Sequence, residues 1–187
     1  IEGRNYVPFG PTPAFILLPF VAIFGVLVNT QIVSALIGAF NVVLVYLLLS
    51  KIAQARVVRE EGIPTARSEQ GDASTGGKET RDRTRAMMLT IFFAFGTVHF
   101  YAVVIANTWL FAQVVGVFFL LLAINLALSH HKSYFIPFVS GIFLGLAALS
   151  RVPMLLALPF FIGIIYYYVR HLEHRRIISF LSALFSL

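Results

Sequence analysis

Apolar residues in this chain fall into long uninterrupted blocks, with none of the alternation of a half-buried strand and none of the single faces of a soluble helix. Asn29–Ser50, Ala86–Val104 and Trp109–Leu128 are each about as long as a bilayer crossing, and 134–169 is almost uniformly apolar. Roughly 20 apolar residues cover the ~30 Å of hydrocarbon, where lipid offers no partner for an unpaired backbone group. The last block cannot be one crossing, because 36 helical residues would reach about 54 Å. Arg151, Val152 and Pro153 supply the break, since proline disfavours helix in the residue before it and suits the first turn of a new one. The pattern therefore predicts spans at 29–50, 86–104, 109–128, 134–150 and 152–169. Short turns fall at Ile105–Thr108 and at Ser129, His130, His131 and Lys132.

Two further segments complete the expected organisation. Residues 1–28 hold Pro11, Pro13 and Pro19 within an apolar stretch, which suits a broken or interfacial helix better than a regular span. Residues 51–85 carry Glu60, Glu61, Gly62, Pro64, Asp72, Gly76 and Gly77 and are expected to form a flexible loop. After the charged stretch 170–176, Ile177–Leu187 is apolar but too short to cross, and is expected to open a truncated span. Ile1 is expected to be a processed or truncated start, and Ile1-Glu2-Gly3-Arg4 also spells a factor Xa cleavage scar. The fold class is thus an all-α, polytopic transmembrane helix bundle. It is expected to have about five complete spans, an outer juxtamembrane proline segment and a truncated final span.

Composition agrees with this. The chain is 59% hydrophobic and only 12% charged, with a mean hydropathy of +0.88, whereas soluble domains carry about a quarter charged residues. The net charge of +6 does not call for nucleic acid, because in membrane proteins basic residues collect on cytoplasmic loops. Placing 51–85, 129–133 and 170–176 in the cytoplasm assigns them eight, one and three Lys or Arg residues, leaving Arg4 and Arg151 outside. There is no cysteine, so neither a disulfide framework nor a thiolate site exists.

Arg151 is the sharpest chemical candidate, a cation at an outer hairpin where positive charge is uncommon. Its planar fork of donors matches a lipid phosphate or pyrophosphate, and snorkelling to anchor the hairpin is the alternative. Arg4 and Tyr6 fall on the same side and read either as contacts to the same ligand or as interfacial anchors. Asn107, Trp109 and Gln113 cluster at the outer ends of two spans; they could line a sugar pocket, with the aromatic belt as the plainer reading of Trp109. His99, inside the second span, reads as a neutral imidazole satisfied by a neighbouring helix. Adjacent His130 and His131, with no acid or thiol near, do not make a metal site. Gly141 and Gly145 form a small-residue pair that lets helices approach closely. Of the eight acids, Glu2, Glu60, Glu61, Glu69, Asp72, Glu79, Asp82 and Glu173, only Glu2 falls outside the cytoplasmic segments. A carboxylate base acting at the outer face would have to come from elsewhere.

The order of these features resembles the GT-C glycosyltransferases, polytopic enzymes that use polyprenyl-phosphate sugars and include protein O-mannosyltransferases and the bacterial aminoarabinose transferase. Tyr6–Gly25 (YVPFGPTPAFILLPFVAIFG) is similar to the family's proline-bearing outer segment, and Ser34–Leu49 (SALIGAFNVVLVYLLL) to the span that follows. Residues 94–128 resemble the next helical pair, and Gly141–Phe160 (GIFLGLAALSRVPMLLALPF) the family's helix, basic residue, proline and returning helix. The resemblance implies that Arg151, with Arg4, binds a donor phosphate, that Tyr6, Asn107, Trp109 and Gln113 approach sugar or acceptor, and that the catalytic acid lies upstream of Ile1. It implies a polyprenyl-phosphate sugar donor, an acceptor the residues do not identify, surrounding membrane lipid, and no cofactor. The rival readings are a non-enzymatic membrane subunit or lipid-binding scaffold and, with no intramembrane carboxylate to couple an ion, a transporter.

Overall fold

The computed structural model describes residues 10–61, 73–129, 135–164 and 166, and every element among them is helical. In chain order these are α1 (Thr12–Phe24), a 3-10 turn (Gly25–Leu27), α2 (Thr30–Glu61), α3 (Ala73–Gly96), α4 (Val98–Ile105), α5 (Thr108–Ala127), α6 (Phe135–Ser150) and α7 (Val152–Ile164). The first six residues of α7, Val152–Ala157, wind as a 3-10 helix. Arg4, Tyr6, His130, His131 and the segment 170–187 lie outside the described residues.

Helix α5 is the hub. It is apolar all round, as a helix enclosed by others must be, and Phe111, Val114, Val115 and Ala123 are fully buried. Hydrogen bonds fix the direction of its neighbours. The Asn41 amide donates to the Val114 carbonyl (3.1 Å), the Asn125 amide to that of Leu44 (3.0 Å), and the Lys51 ammonium to the Asn125 carbonyl (2.7 Å) and the Ser129 hydroxyl (3.0 Å). Numbers rise together on both helices, so α2 and α5 are parallel. On the other flank the Ser140 hydroxyl donates to the Ala123 carbonyl (2.8 Å) and that of Ser150 to Ala112 (2.7 Å), which makes α6 antiparallel. Such bonds matter in lipid because apolar contact alone does not favour one helix neighbour over the hydrocarbon.

This geometry gives the bundle two ends, one marked by Lys51 and Ser129, the other by Arg151 and the start of α5. Among the described residues two single helices are long and apolar enough to cross a membrane, Thr30–Ala55 and Thr108–Ala127. Because α2 and α5 are parallel, the chain must return between them, and α3 with α4 makes that return. The expected single span at 86–104 is therefore a bent pair, Thr80–Gly96 and Val98–Ile105, meeting at 49°. The bend has a local cause: Gly96 has the weakest helix preference of any residue but proline. Thr97 is extended, its hydroxyl donates to the Phe93 carbonyl (2.8 Å), and its oxygen accepts from the His99 N–H to cap α4.

Where complete spans are expected at 134–150 and 152–169, the described residues hold only shorter apolar helices, Phe138–Ser150 and Val152–Ile164, folded back on one another at Arg151. Leu144 of α6 and Phe161 of α7 pack into one cluster with Ala123 and Ala127. The segment 51–85 departs from the flexible loop expected of it: α2 continues to Glu61 and α3 begins at Ala73, so helix enters it from both sides. Runs such as Lys51–Arg56 are rich in good helix formers, and extension from an established span avoids the cost of nucleation. The Gly141–Gly145 pair also behaves unexpectedly. A Cβ at either meets no described atom within 4 Å, because Ser140, Leu144 and Ala147 form the face of α6 that is buried.

Gly38 does admit a close neighbour. A Cβ there would stand 2.6 Å from a Val103 methyl, so α4 lies directly on this part of α2. Gly38→Ile is expected to destabilise the bundle by about 1–3 kcal/mol, the usual range for overpacking, and Val103→Ala in the same chain should restore part of it. Denaturation in detergent micelles checks both. Lys51→Met is expected to cost a further ~1.5–3 kcal/mol, since it removes two bonds from a cation at the carbonyl end of α5, and Lys51→Arg should retain part of that.

Candidate functional site

Arg151 lies where α6 ends and α7 begins. Its N–H closes α6 on the Ala147 carbonyl (3.0 Å), its backbone is extended (φ −152°, ψ 119°), and its own carbonyl accepts from Met154 (3.0 Å). Arg151 is thus the N-cap of α7, and Pro153 falls in the first turn of that helix, where its missing N–H leaves no bond unmade. The guanidinium lies over the Trp109 ring, 3.8 Å from its centroid, and Nη2 donates to the Trp109 carbonyl at 3.0 Å. A cation over an indole contributes about 0.5–2 kcal/mol, more as the site dries.

Two residues that sequence pattern treats separately thus form one unit. Trp109 is held by the start of α5, where the Asn107 side chain accepts from the Leu110 N–H at 2.8 Å and caps the helix. Just before it, Ala106 adopts a left-handed conformation (φ 42°, ψ 34°) that ends α4 and lets α5 start beside it. Asn107 is therefore occupied as a capping residue. Gln113 follows Trp109 by one turn and is half-buried. The Ser150–Ala112 bond ties α6 to α5 one residue before the arginine, so the cation and the indole have a common rigid support.

The N-terminal helix reaches this same end, through residues for which sequence alone offers no signal. The Thr12 hydroxyl donates to the Leu146 carbonyl (3.1 Å), and a Cβ built on Gly10 would overlap the Leu149 carbonyl oxygen. Further along α1, Ile16, Leu17 and Phe20 pack with Val28 against Val33, Ile37 and Phe111. Since α2 and α5 both begin at the Arg151 end, α1 starts and finishes there without crossing the bundle. Gly10 itself lies against the last turn of α6, beside Leu149 and Ser150, while Arg4 and Tyr6 lie outside the described residues.

Charge is distributed unevenly. The acids among the described residues are Glu60, Glu61, Glu79 and Asp82, all on the far parts of α2 and α3. Asp82 pairs with Arg85 at 3.3 Å. No carboxylate among the described residues stands near Arg151. Its guanidinium has five donor hydrogens, one of them given to Trp109. The site can hold an anion of phosphate type at the edge of an apolar bundle, and no carboxylate among the described residues stands there to act as a general base.

No protein-family model, no characterised protein and no solved structure matches this chain.

Proposed function

We propose that this chain is the membrane part of a GT-C-type glycosyltransferase that moves a sugar from a polyprenyl-phosphate donor to an acceptor at the non-cytoplasmic face. The observation that carries this reading is the half-exposed Arg151 guanidinium, stacked on Trp109 at a hairpin on the rim of an apolar bundle. In this reading the basic stretches around 51–85, 129–133 and 170–176 stay in the cytoplasm, which puts the Arg151 end outside. Five crossings are completed when the two short helices of the hairpin are counted with the bent pair.

In the transfer, the acceptor oxygen attacks the anomeric carbon, the bond from that carbon to the phosphate oxygen breaks, and the phosphate leaves with the bonding pair. Arg151, with Arg4 from the neighbouring segment, neutralises the charge that develops on that phosphate, and a cation already fixed in position need not reorganise to do so. Trp109 offers a flat apolar face to the sugar, Gln113 a side-chain amide and Tyr6 a hydroxyl. The acceptor's proton goes to a carboxylate that the family resemblance assigns upstream of Ile1. Donor binding is thus expected to depend on the arginine, and turnover on that carboxylate.

A second reading, a non-enzymatic lipid-binding scaffold, is favoured by one observation, the lack of any carboxylate beside Arg151 among the described residues. Trp109 is the sole tryptophan, so it reports the site directly. Polyprenyl phosphate added to the protein in nanodiscs should change its fluorescence saturably, while the uncharged polyprenol should not. Equal responses to both would eliminate a phosphate site. An upstream acid whose removal stops transfer by the intact protein separates enzyme from scaffold.

A further inference from the structure

Among the described residues, Trp109 alone meets the Arg151 guanidinium by hydrogen bond or ring contact, and it does so twice. Its carbonyl accepts from Nη2 at 3.0 Å, and the centroid of its ring lies 3.8 Å from Cζ. The first contact holds an edge of the cation and the second a face. An arginine on the rim of an apolar bundle otherwise has many rotamers open to it and snorkels toward water. Edge and face together select one of them.

The two contacts leave a phosphate-binding edge intact. A guanidinium has two forks of parallel donors, Nε with Nη2 and Nη1 with Nη2, and Nη2 contributes one hydrogen to each. Spending either hydrogen on the Trp109 carbonyl therefore consumes one fork and leaves the other whole for two oxygens of one phosphate. The backbone on both sides of the arginine is fixed against the same helix. The Ser150 hydroxyl donates to the Ala112 carbonyl at 2.7 Å, and four residues further along each segment Met154 packs on Gly116, where a Cβ would stand 3.3 Å from the Met154 methyl. Neither contact touches the guanidinium, so the hairpin sets where the side chain starts and Trp109 sets where it ends.

We infer that Trp109 is a positioning residue for Arg151, its ring holding the guanidinium in the orientation that presents the remaining fork to a phosphate. This role rests on the donor-phosphate reading of Arg151 and adds to it the residue that prepares the cation before the ligand arrives. A site that is competent only part of the time binds more weakly in proportion to that fraction, so the ring acts on affinity without touching the phosphate. The face turned to Arg151 is covered by the cation, which leaves a sugar the opposite one.

The affinities of the full chain in nanodiscs for polyprenyl phosphate and for uncharged polyprenol test this, measured by isothermal titration because the fluorophore is removed. Trp109→Leu keeps the backbone carbonyl and the apolar bulk. It should weaken polyprenyl phosphate binding about 3- to 30-fold, the range that a cation over an indole spans, and leave polyprenol binding unchanged. Trp109→Phe should lose less. In an Arg151→Ala background neither substitution should weaken phosphate binding further, since the ring acts through the cation. The guanidinium protons of the wild type should also resonate upfield in the current of the ring, and Trp109→Leu should abolish that shift. A loss of the same size in both backgrounds, a matching loss for polyprenol, or no loss at all would overturn the inference and leave the phosphate site standing. A wild type that binds polyprenol as tightly as the phosphate would remove the site itself and this role with it. Should Trp109→Leu fail to fold, Trp109→Phe in the two backgrounds decides.

Discussion

Arg151→Ala is expected to weaken polyprenyl-phosphate binding by about 10- to 100-fold, the equivalent of losing ~1.5–3 kcal/mol of charge-assisted hydrogen bonding. In the proposed transfer the interaction grows as the phosphate departs, so the same substitution in the intact protein should abolish it. Arg151→Lys should fall between the two. An ammonium keeps the charge but loses the planar fork that grips two phosphate oxygens and lies flat on Trp109. The fold should survive both changes, since Ser150, Ala147 and Pro153 set the hairpin through backbone and hydroxyl groups that neither touches. Fluorescence titration of Trp109 measures binding, and thermal unfolding confirms the fold. Alanine binding donor as tightly as the parent would remove the arginine from the site.

Gly10→Ala is expected to dislodge the N-terminal segment from the end of α6. The atom in the way of a new methyl is the Leu149 carbonyl oxygen, part of a helix backbone that cannot rotate aside as a side chain would. One group must therefore move, and α1, held among the described residues by the Thr12 bond and an apolar face, is the weaker body. With no native cysteine, the pair Pro11→Cys and Leu149→Cys should form a disulfide readily with Gly10 present and several-fold less with alanine. Because Arg4 and Tyr6 precede Gly10 in sequence and belong to the proposed donor site, Gly10→Ala should also weaken donor binding without altering Arg151. Undiminished cross-linking would mean that α1 is not positioned by this contact.

Much of the helical plan was legible because the bilayer imposes a length on apolar runs that few other forces mimic. The hairpin at Arg151 was readable for the same reason, an apolar stretch too long for one crossing with a proline in its middle. The bend at Thr97 was not, because Gly96, Thr97 and His99 make only a brief dip inside an apolar run and the hydroxyl cap alone reveals the break. The helical ends of 51–85 were hidden by their polarity, which describes solvent exposure better than conformation. Arg151, Trp109 and Asn107 were each visible as unusual residues, but their partnership depends on α6 returning antiparallel to α5. Gly10 and Thr12 were invisible, since a tight contact with a distant carbonyl leaves no mark on neighbouring residues.

Nearly every interhelical side-chain hydrogen bond among the described residues ends on a main-chain oxygen, and five of these oxygens, on Leu44, Ala112, Val114, Ala123 and Leu146, receive the uncharged side chains of Asn125, Ser150, Asn41, Ser140 and Thr12. Every amino acid carries such an oxygen, so the receiving half of each latch is indifferent to residue identity. Evolution can then exchange Leu44 or Val114 for other apolar residues of similar bulk and keep the latch, while the five donors have few substitutes. A saturation mutagenesis map should show that asymmetry, five intolerant polar positions facing permissive ones across each seam.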